Sequence, residues 1–279
     1  MLNKSISWLH ARPFVNLIIL ITYYSFVVLP HEWIGIRINA LFKPLGREQY
    51  NLLILVLAIA AIIIIALFFR KQWKSYQYKN QILPYIFGSA ILLAICFKFL
   101  FVINIEIVHI PQYAIFAMLA YPLLKNVISV MFLATSFGAL DELYQYVILT
   151  PHINKYFDFN DVFIDQIGAG IGLLILVLSG VKDKALNLSS IIKDPGVASV
   201  IILIVIFFLG LITGDFSIYD PEGIDRFTLI KEQATSYWTR PKGPPAVFHR
   251  LGIWESVVCI ATALLFYGSM HKLTLRKVD

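Results

Sequence analysis

Leu52 to Phe69 reads LLILVLAIAAIIIIALFF, a run without one polar side chain. A helix that crosses a bilayer needs about 20 mostly apolar residues, and inside lipid only a helix or a closed barrel satisfies its own backbone. The run ends in Arg70-Lys71-Gln72-Trp73-Lys74, a basic and aromatic cluster suited to the membrane interface. Outward from it lie further apolar segments: Phe14–Pro30, Ile82–Ile103, Ile107–Leu124, Val127–Val147, Asp161–Gly180, Val197–Ile212 and Gly252–Met270. The expected fold is therefore all-α, a polytopic transmembrane bundle of about eight spans forming a single membrane domain over 1–279. The first span has no small-residue cleavage site after it (Val27-Val28-Leu29-Pro30) and reads as a retained helix rather than a signal peptide.

Composition agrees. The 279 residues are 59% hydrophobic and 14% charged, whereas a soluble domain carries roughly 45–50% and about 25%. That displacement excludes a soluble enzyme, a secreted disulfide scaffold and a disordered tail. Cys96 and Cys259, both inside apolar runs, form no disulfide framework or metal-spacing motif. The net charge of +6 is spread over short loops, which argues against nucleic acid and makes the bilayer the first expected partner. With an even number of spans both termini share a side. Lys4, Arg12, Arg70, Lys71, Lys74, Lys79, Lys125, Lys182, Lys184, Lys193, Lys272, Arg276 and Lys277 fall there, so the positive-inside rule predicts both termini in the cytoplasm. The long Pro-, Gly- and aromatic-rich loop over 214–251 is then extracytoplasmic and a candidate cap.

Charged groups within a bilayer are costly and usually face a protein interior. Three consecutive spans carry them. Glu106, His109 and Tyr113 are spaced i, i+3, i+7 at the start of one; Glu142 and Gln145 are spaced i, i+3 at the end of the next; Asp158, Asp161, Asp165, Gly168 and Gly172 follow one stripe at the start of the third. The alternating directions of the spans bring all three sets to the extracytoplasmic end. Six carboxylates (Glu106, Asp141, Glu142, Asp158, Asp161, Asp165) would then face few cations, chiefly Lys155 and His109, so some must protonate or find a cation. Gly168 and Gly172 read as a helix-packing pair.

These residues resemble the VanZ-like family of multi-pass bacterial membrane proteins. The matching order is His-x-x-x-Tyr (His109, Tyr113), Glu-x-x-Gln (Glu142, Gln145), a basic residue with two acids (Lys155, Asp158, Asp161), and a helix opening with Asp161, Asp165, Gly168 and Gly172. Lys155 stands where the family has Arg, and Asp165 where it has Asn. The resemblance spans residues 100–180 and implies an inner-membrane protein of the bacterial cell envelope, with a link to glycopeptide resistance.

Three functions are open at this stage. In an enzyme, Glu142, His109 and Asp161 are the candidate catalytic groups. Glu106, Tyr113, Gln145, Lys155, Asp158 and Asp165 would then hold a lipid-linked or cell-wall substrate. A divalent cation could sit among Asp158, Asp161, Asp165, Glu142 and His109. A non-catalytic protein could bind or shield an envelope lipid or glycan with the same pocket. A proton-coupled transporter fits least, because the ionisable groups stay near one surface. The sequence has no Gly-x-Ser-x-Gly, His-Glu-x-x-His, phosphate-binding loop or dinucleotide fingerprint. It does not fix the oligomeric state or the role of residues 197–279.

Overall fold

A computed structural model describes residues 2–42, 47–73, 76–101, 104–149, 155–184, 188–222, 227–232, 238–239 and 248–275. Helices α1 (Leu2–His10), α2 (Pro13–Tyr23), α3 (His31–Phe42), α4 (Arg47–Trp73) and α5 (Lys79–Ile95) are followed by α6 (His109–Leu124), α7 (Val127–Tyr144), α8 (Phe159–Leu178), α9 (Pro195–Thr213), α10 (Ile253–Gly268) and the short α11 (His271–Thr274). Among the described residues six helices are long and apolar enough to cross a membrane. The count is seven if α1 and the α2 segment, bent by 110° between them, are taken as one span. The fully apolar run from Leu52 lies inside α4, which is 27 residues long; α4 is not among those helices, and with it the count reaches the eight expected.

The centre of the bundle is α8. Of its most apolar window 89% is buried, against 11% for α9 at the periphery, so α8 is wrapped by protein and α9 faces outward. Its 20 residues span about 30 Å at 1.5 Å per residue, the thickness of a hydrocarbon core. Asp158 starts it as an N-cap, accepting from the Asn160 amide at 3.0 Å. Asn126 caps α7 by accepting from the Ile128 and Ser129 amides, and Asp194 caps α9 from Gly196 and Val197.

Glycines set how closely the neighbours approach α8. A Cβ on Gly168 would stand 2.7 Å from the Ile110 carbonyl oxygen of α6, and one on Gly172 would strike the Ala114 backbone one turn further on. Helices α6 and α8 thus run side by side in the same direction, backbone against backbone, as small residues four apart allow. On another face Gly170 leaves room for the ring of Tyr267 on α10.

Three helices end in π-helical turns: α2 in Tyr24–Val28, α5 in Cys96–Leu100 and α7 in Gln145–Leu149. All three reach the end of the bundle where α6 and α8 begin. Such turns shift side-chain register and often mark functional regions. Beyond α9, Gly214 (φ +82°) turns the chain into the segment over 214–251. There β1 (Phe216–Tyr219) pairs in parallel with β2 (Phe227–Ile230), and β3 (Trp238–Thr239) pairs antiparallel with β4 (Phe248–His249). The segment packs on the same end: Phe157 N donates to Leu229 O at 2.9 Å, and Tyr146 OH donates to Thr228 O at 2.7 Å.

Candidate functional site

The site begins at the first turn of α6. His109 is 3% exposed, and its two ring nitrogens face two carboxylates of α8. Nδ1 lies 2.9 Å from Asp165 Oδ1, and Nε2 lies 3.9 Å from Asp161 Oδ2. A carboxylate can only accept, so Nδ1 carries the proton in this pair and Nε2 is turned toward Asp161. Asp161 and Asp165 are four apart and share the α8 face whose later residues are Gly168 and Gly172. The close helix contact and the His–Asp pair therefore belong to one interface. Asp165 also needs space on its far side, supplied by Gly138 of α7: a Cβ there would stand 2.9 Å from Asp165 Oδ2.

Two neighbours on α7 point in different directions, as adjacent helical residues must. Glu142 reaches the start of α8, where its Oε1 accepts the Asp158 amide at 3.1 Å. Asp141 turns to the centre. It is 1% exposed, beside the Gln145 side chain, with no donor in good hydrogen-bond geometry on either oxygen among the described residues. The His31 Nδ1 lies 3.6 Å from Asp141 Oδ2.

His31 opens α3, directly after the π-helical turn and Pro30. Its Nδ1 lies 2.6 Å from the Val28 carbonyl oxygen, an acceptor that fixes the proton on Nδ1. Its ring meets the His109 ring edge-on, with centroids 4.5 Å apart. Burial and the neighbouring His109 imidazole hold His31 far below the usual histidine value, at about 3, so it is neutral near pH 7.

Other groups complete the centre. The Tyr113 hydroxyl is fully buried and meets the Asp165 carboxylate, with Asp141 also nearby. Asn160 is 2% exposed and ties three segments together. Its Nδ2 donates to Leu100 O at 3.2 Å and to His249 O at 2.8 Å, and its Oδ1 accepts from Leu251 N at 2.9 Å. The Arg250 guanidinium lies 3.4 Å from the centroid of the Tyr156 ring, stacked at the rim. Asn160→Ala should therefore loosen the closing segment without touching the His–Asp pair. Protease cleavage after residue 214 should quicken in the purified protein; an unchanged rate would show that the segment is held elsewhere.

Of the sequence-predicted residues, His109, Tyr113, Asp161 and Asp165 meet in one cluster, and Glu142 and Asp158 adjoin it through their hydrogen bond. Gln145 is buried at the first position of the π-helical turn. Glu106 is half-buried in a 3-10 turn, Asn104–Val108, that precedes α6 rather than in the helix itself. Its i, i+3 relation to His109 is therefore not that of an α-helical face. The Lys155 side chain is exposed, and it is the backbone carbonyl of Lys155 that is engaged, by Lys231 N at 2.9 Å. His31, Asn160 and Gly138 were not singled out by sequence, and Asp141 was counted among the converging acids without a role. The available signal was placement: His31 and Asp141 both lie at the outer ends of apolar runs.

Asp158 gives the site a measurable pH dependence. Burial and the Asp161 carboxylate push it up to about 7 from a usual 3.8. The folded chain then holds this proton more tightly than the unfolded chain. The stability it contributes is full below about 3.8 and is lost as pH rises through about 7. Asp158→Asn keeps an N-cap side chain and removes the titration. Its thermal midpoint relative to the parent should rise between pH 5 and 8; a constant difference across that range would contradict the assignment.

A second polar cluster lies at the opposite end of α6 and α8. Asp183 accepts from Tyr121 OH at 2.8 Å and from Val127 N at 3.0 Å, and pairs with His271 Nδ1 at 2.6 Å. Lys125, Lys182, Lys184 and Lys272 surround that end by sequence. Two open cavities, of about 200 and 290 Å³, are also there, one lined by Tyr76 and Lys182 and the other by Ile128 and Lys272.

No family model, curated protein or solved structure matches the chain. Its function has to be read from the residues themselves.

Proposed function

We propose that this chain is a VanZ-like integral membrane protein of the bacterial inner membrane. Both termini are cytoplasmic, and a His–carboxylate centre at the extracytoplasmic end acts on the polar head of a lipid-linked or cell-wall envelope component. The observation that carries this reading is the contiguity of His109, Asp161, Asp165, Asp141 and His31, contributed by four helices and joined beneath one end of the bundle. Buried ionisable groups among apolar helices are costly to insert and mark functional sites. Apolar core separates this centre from the Asp183–His271 cluster at the opposite end, which supports surface chemistry over a relay across the membrane. The orientation is supported by charge: the far end is rich in Lys, and the site end is rich in Asp and Glu.

Chemistry is favoured over simple ligand capture by the His109 arrangement. An imidazole held by one carboxylate at Nδ1 and turned toward another at Nε2 is fixed in tautomer and aim, so that Nε2 can take up a proton or an ion beside Asp161. Asp165 fixes the ring. Asp161, whose side chain is 18% exposed, is the member of the pair nearest water. Glu142, bonded to the Asp158 amide, holds the start of α8 in register with α7. Cleavage or transfer at an ester, amide or phosphodiester bond suits these groups.

The test is genetic complementation in the host. Deletion of the gene should alter envelope integrity or glycopeptide susceptibility, and the parent chain should restore it. Glu142→Gln and Asp161→Asn, inserted in the membrane at normal level, should fail to restore it, with at least a tenfold loss of protection. Full complementation by both variants would contradict the reading.

A further inference from the structure

We propose that His31, His109 and Asp141, with Asp161 as a fourth donor, form a binding site for one divalent transition-metal ion, zinc by preference, at the buried centre of the site. The candidate ligand atoms of His31, His109 and Asp141 all lie within 4.8 Å of one another. Tetrahedral zinc holds its nitrogen and oxygen ligands at about 2.0–2.2 Å, so small side-chain rotations close the set around an ion.

The hydrogen bonds point the same way. A histidine that ligates a metal through one nitrogen usually donates the other N–H to a carboxylate or a backbone carbonyl, which fixes its tautomer and aim. Both histidines here are arranged so. His31 donates from Nδ1 to Val28 O at 2.6 Å, and His109 donates from Nδ1 to Asp165 Oδ1 at 2.9 Å. With Nδ1 so engaged, Nε2 is the nitrogen of each ring left to meet an ion. The His31 acceptor is available because α2 ends in a π-helical turn at Val28.

Asp141 supplies an independent observation. A carboxylate that is 1% exposed, with no donor in good hydrogen-bond geometry on either oxygen and only the side chains of Gln145 and His31 beside it, is short of partners, since buried polar atoms are almost always satisfied. A cation between Asp141 and the two imidazoles resolves it. Asp161 Oδ2, 3.9 Å from His109 Nε2, stands on the side where a fourth ligand or a bound water would enter. Two imidazoles in the set argue against magnesium and calcium, which take oxygen ligands, and for zinc or a similar borderline ion. The ligand set differs from one made of Asp158, Asp165 and Glu142. Asp165 here orients a ligand, and Glu142 and Asp158 are bonded to each other's segment.

The inference uses the same centre as the proposed function, but ion binding is measurable without any envelope assay. The full chain is purified in detergent, stripped with a chelator, and titrated calorimetrically with Zn²⁺ and separately with Mg²⁺. The metal content of the untreated protein is also measured. One Zn²⁺ per chain and no Mg²⁺ uptake are expected. Asp165→Asn should weaken Zn²⁺ binding about 10–100-fold, as loss of an orienting partner does; His31→Ala and Asp141→Ala should weaken it at least as much. His271→Ala, at the far end, should leave it unchanged. Should the alanine variants fail to fold, Co²⁺ bound to the parent chain decides, through visible bands of a four-coordinate site with imidazole ligands. Absence of Zn²⁺ binding by the parent, uptake of Mg²⁺ instead, or Zn²⁺ binding indifferent to His31 and Asp141 would overturn the site. Zinc binding together with full complementation by Glu142→Gln and Asp161→Asn would overturn the functional reading alone. Failed complementation by those variants in a chain that binds no zinc would overturn the ion site alone.

Discussion

His109→Ala is expected to abolish function and to lower the thermal midpoint of the detergent-purified protein on the order of 10 °C. The substitution deletes the imidazole that donates to Asp165 and faces Asp161, leaving a carboxylate that is 1% exposed without that donor. Removing one partner of a buried pair costs about 3–5 kcal/mol, because the other remains desolvated. In a chain of this size each kcal/mol shifts the midpoint by about 2–4 °C. The affected region should be local. The Asp183–His271 cluster lies at the other end of α8, so labelling of a cysteine placed there should be unchanged. A midpoint within about 2 °C of the parent would mean that the His109–Asp165 contact contributes little.

The second large effect comes from a residue with no polar atom in its side chain. Gly172→Leu should destabilise the bundle by about 3 kcal/mol or more and remove function, although Gly172 touches none of the ionisable groups. Its missing Cβ is what lets α8 lie on the Ala114 backbone, and overpacking of a tight interface forces the backbones apart. His109 and Asp165 are held by that same α6–α8 interface, so a separation that starts at Gly172 carries into the site. Gly168→Leu should act alike, against the Ile110 carbonyl. Gly35→Ala, inside α3, is the contrast: a Cβ there meets nothing within 4 Å, and since Ala is the better helix former, stability should hold or rise by up to about 1 kcal/mol. Equal midpoints for Gly172→Leu and Gly35→Ala would remove the close-packing explanation.

Much of the bundle was legible because lipid leaves the chain few choices. The apolar runs ending near Leu124, Val147 and Gly180 coincide within two residues with the ends of candidate spans. That α8 packs closely on a neighbour was legible in the four-residue spacing of Gly168 and Gly172; that the neighbour is α6 was not. What the sequence hid depends on backbone geometry outside the regular helix. His31 enters the site because α2 widens into a π-helical turn and the chain then folds back as α3, where the apolar pattern suggested only a loop after Pro30. Glu106 leaves its expected face because the chain before His109 winds as a 3-10 turn, with a tighter residue period than an α-helix. Asp141 and Glu142 look equivalent in sequence, yet the roughly 100° between successive helical residues sends one to the two histidines and the other to the α8 cap. Lys155, the expected cation, is instead used through its backbone. Lys74, Arg276 and Lys277, counted in the charge balance, lie outside the described residues. So does most of the segment between Gln233 and Val247.

The central claim, that separate helices join their polar groups into one buried centre, is tested most directly by a double-substitution cycle on His109 and Asp165. Denaturation free energies would be measured in detergent for the parent, His109→Ala, Asp165→Asn and the pair. The 2.9 Å contact predicts strong non-additivity, with the double variant scarcely less stable than the worse single one and a coupling of about 1–3 kcal/mol. Strictly additive losses, with coupling below about 0.5 kcal/mol, would mean that the two side chains do not meet and that no shared centre exists.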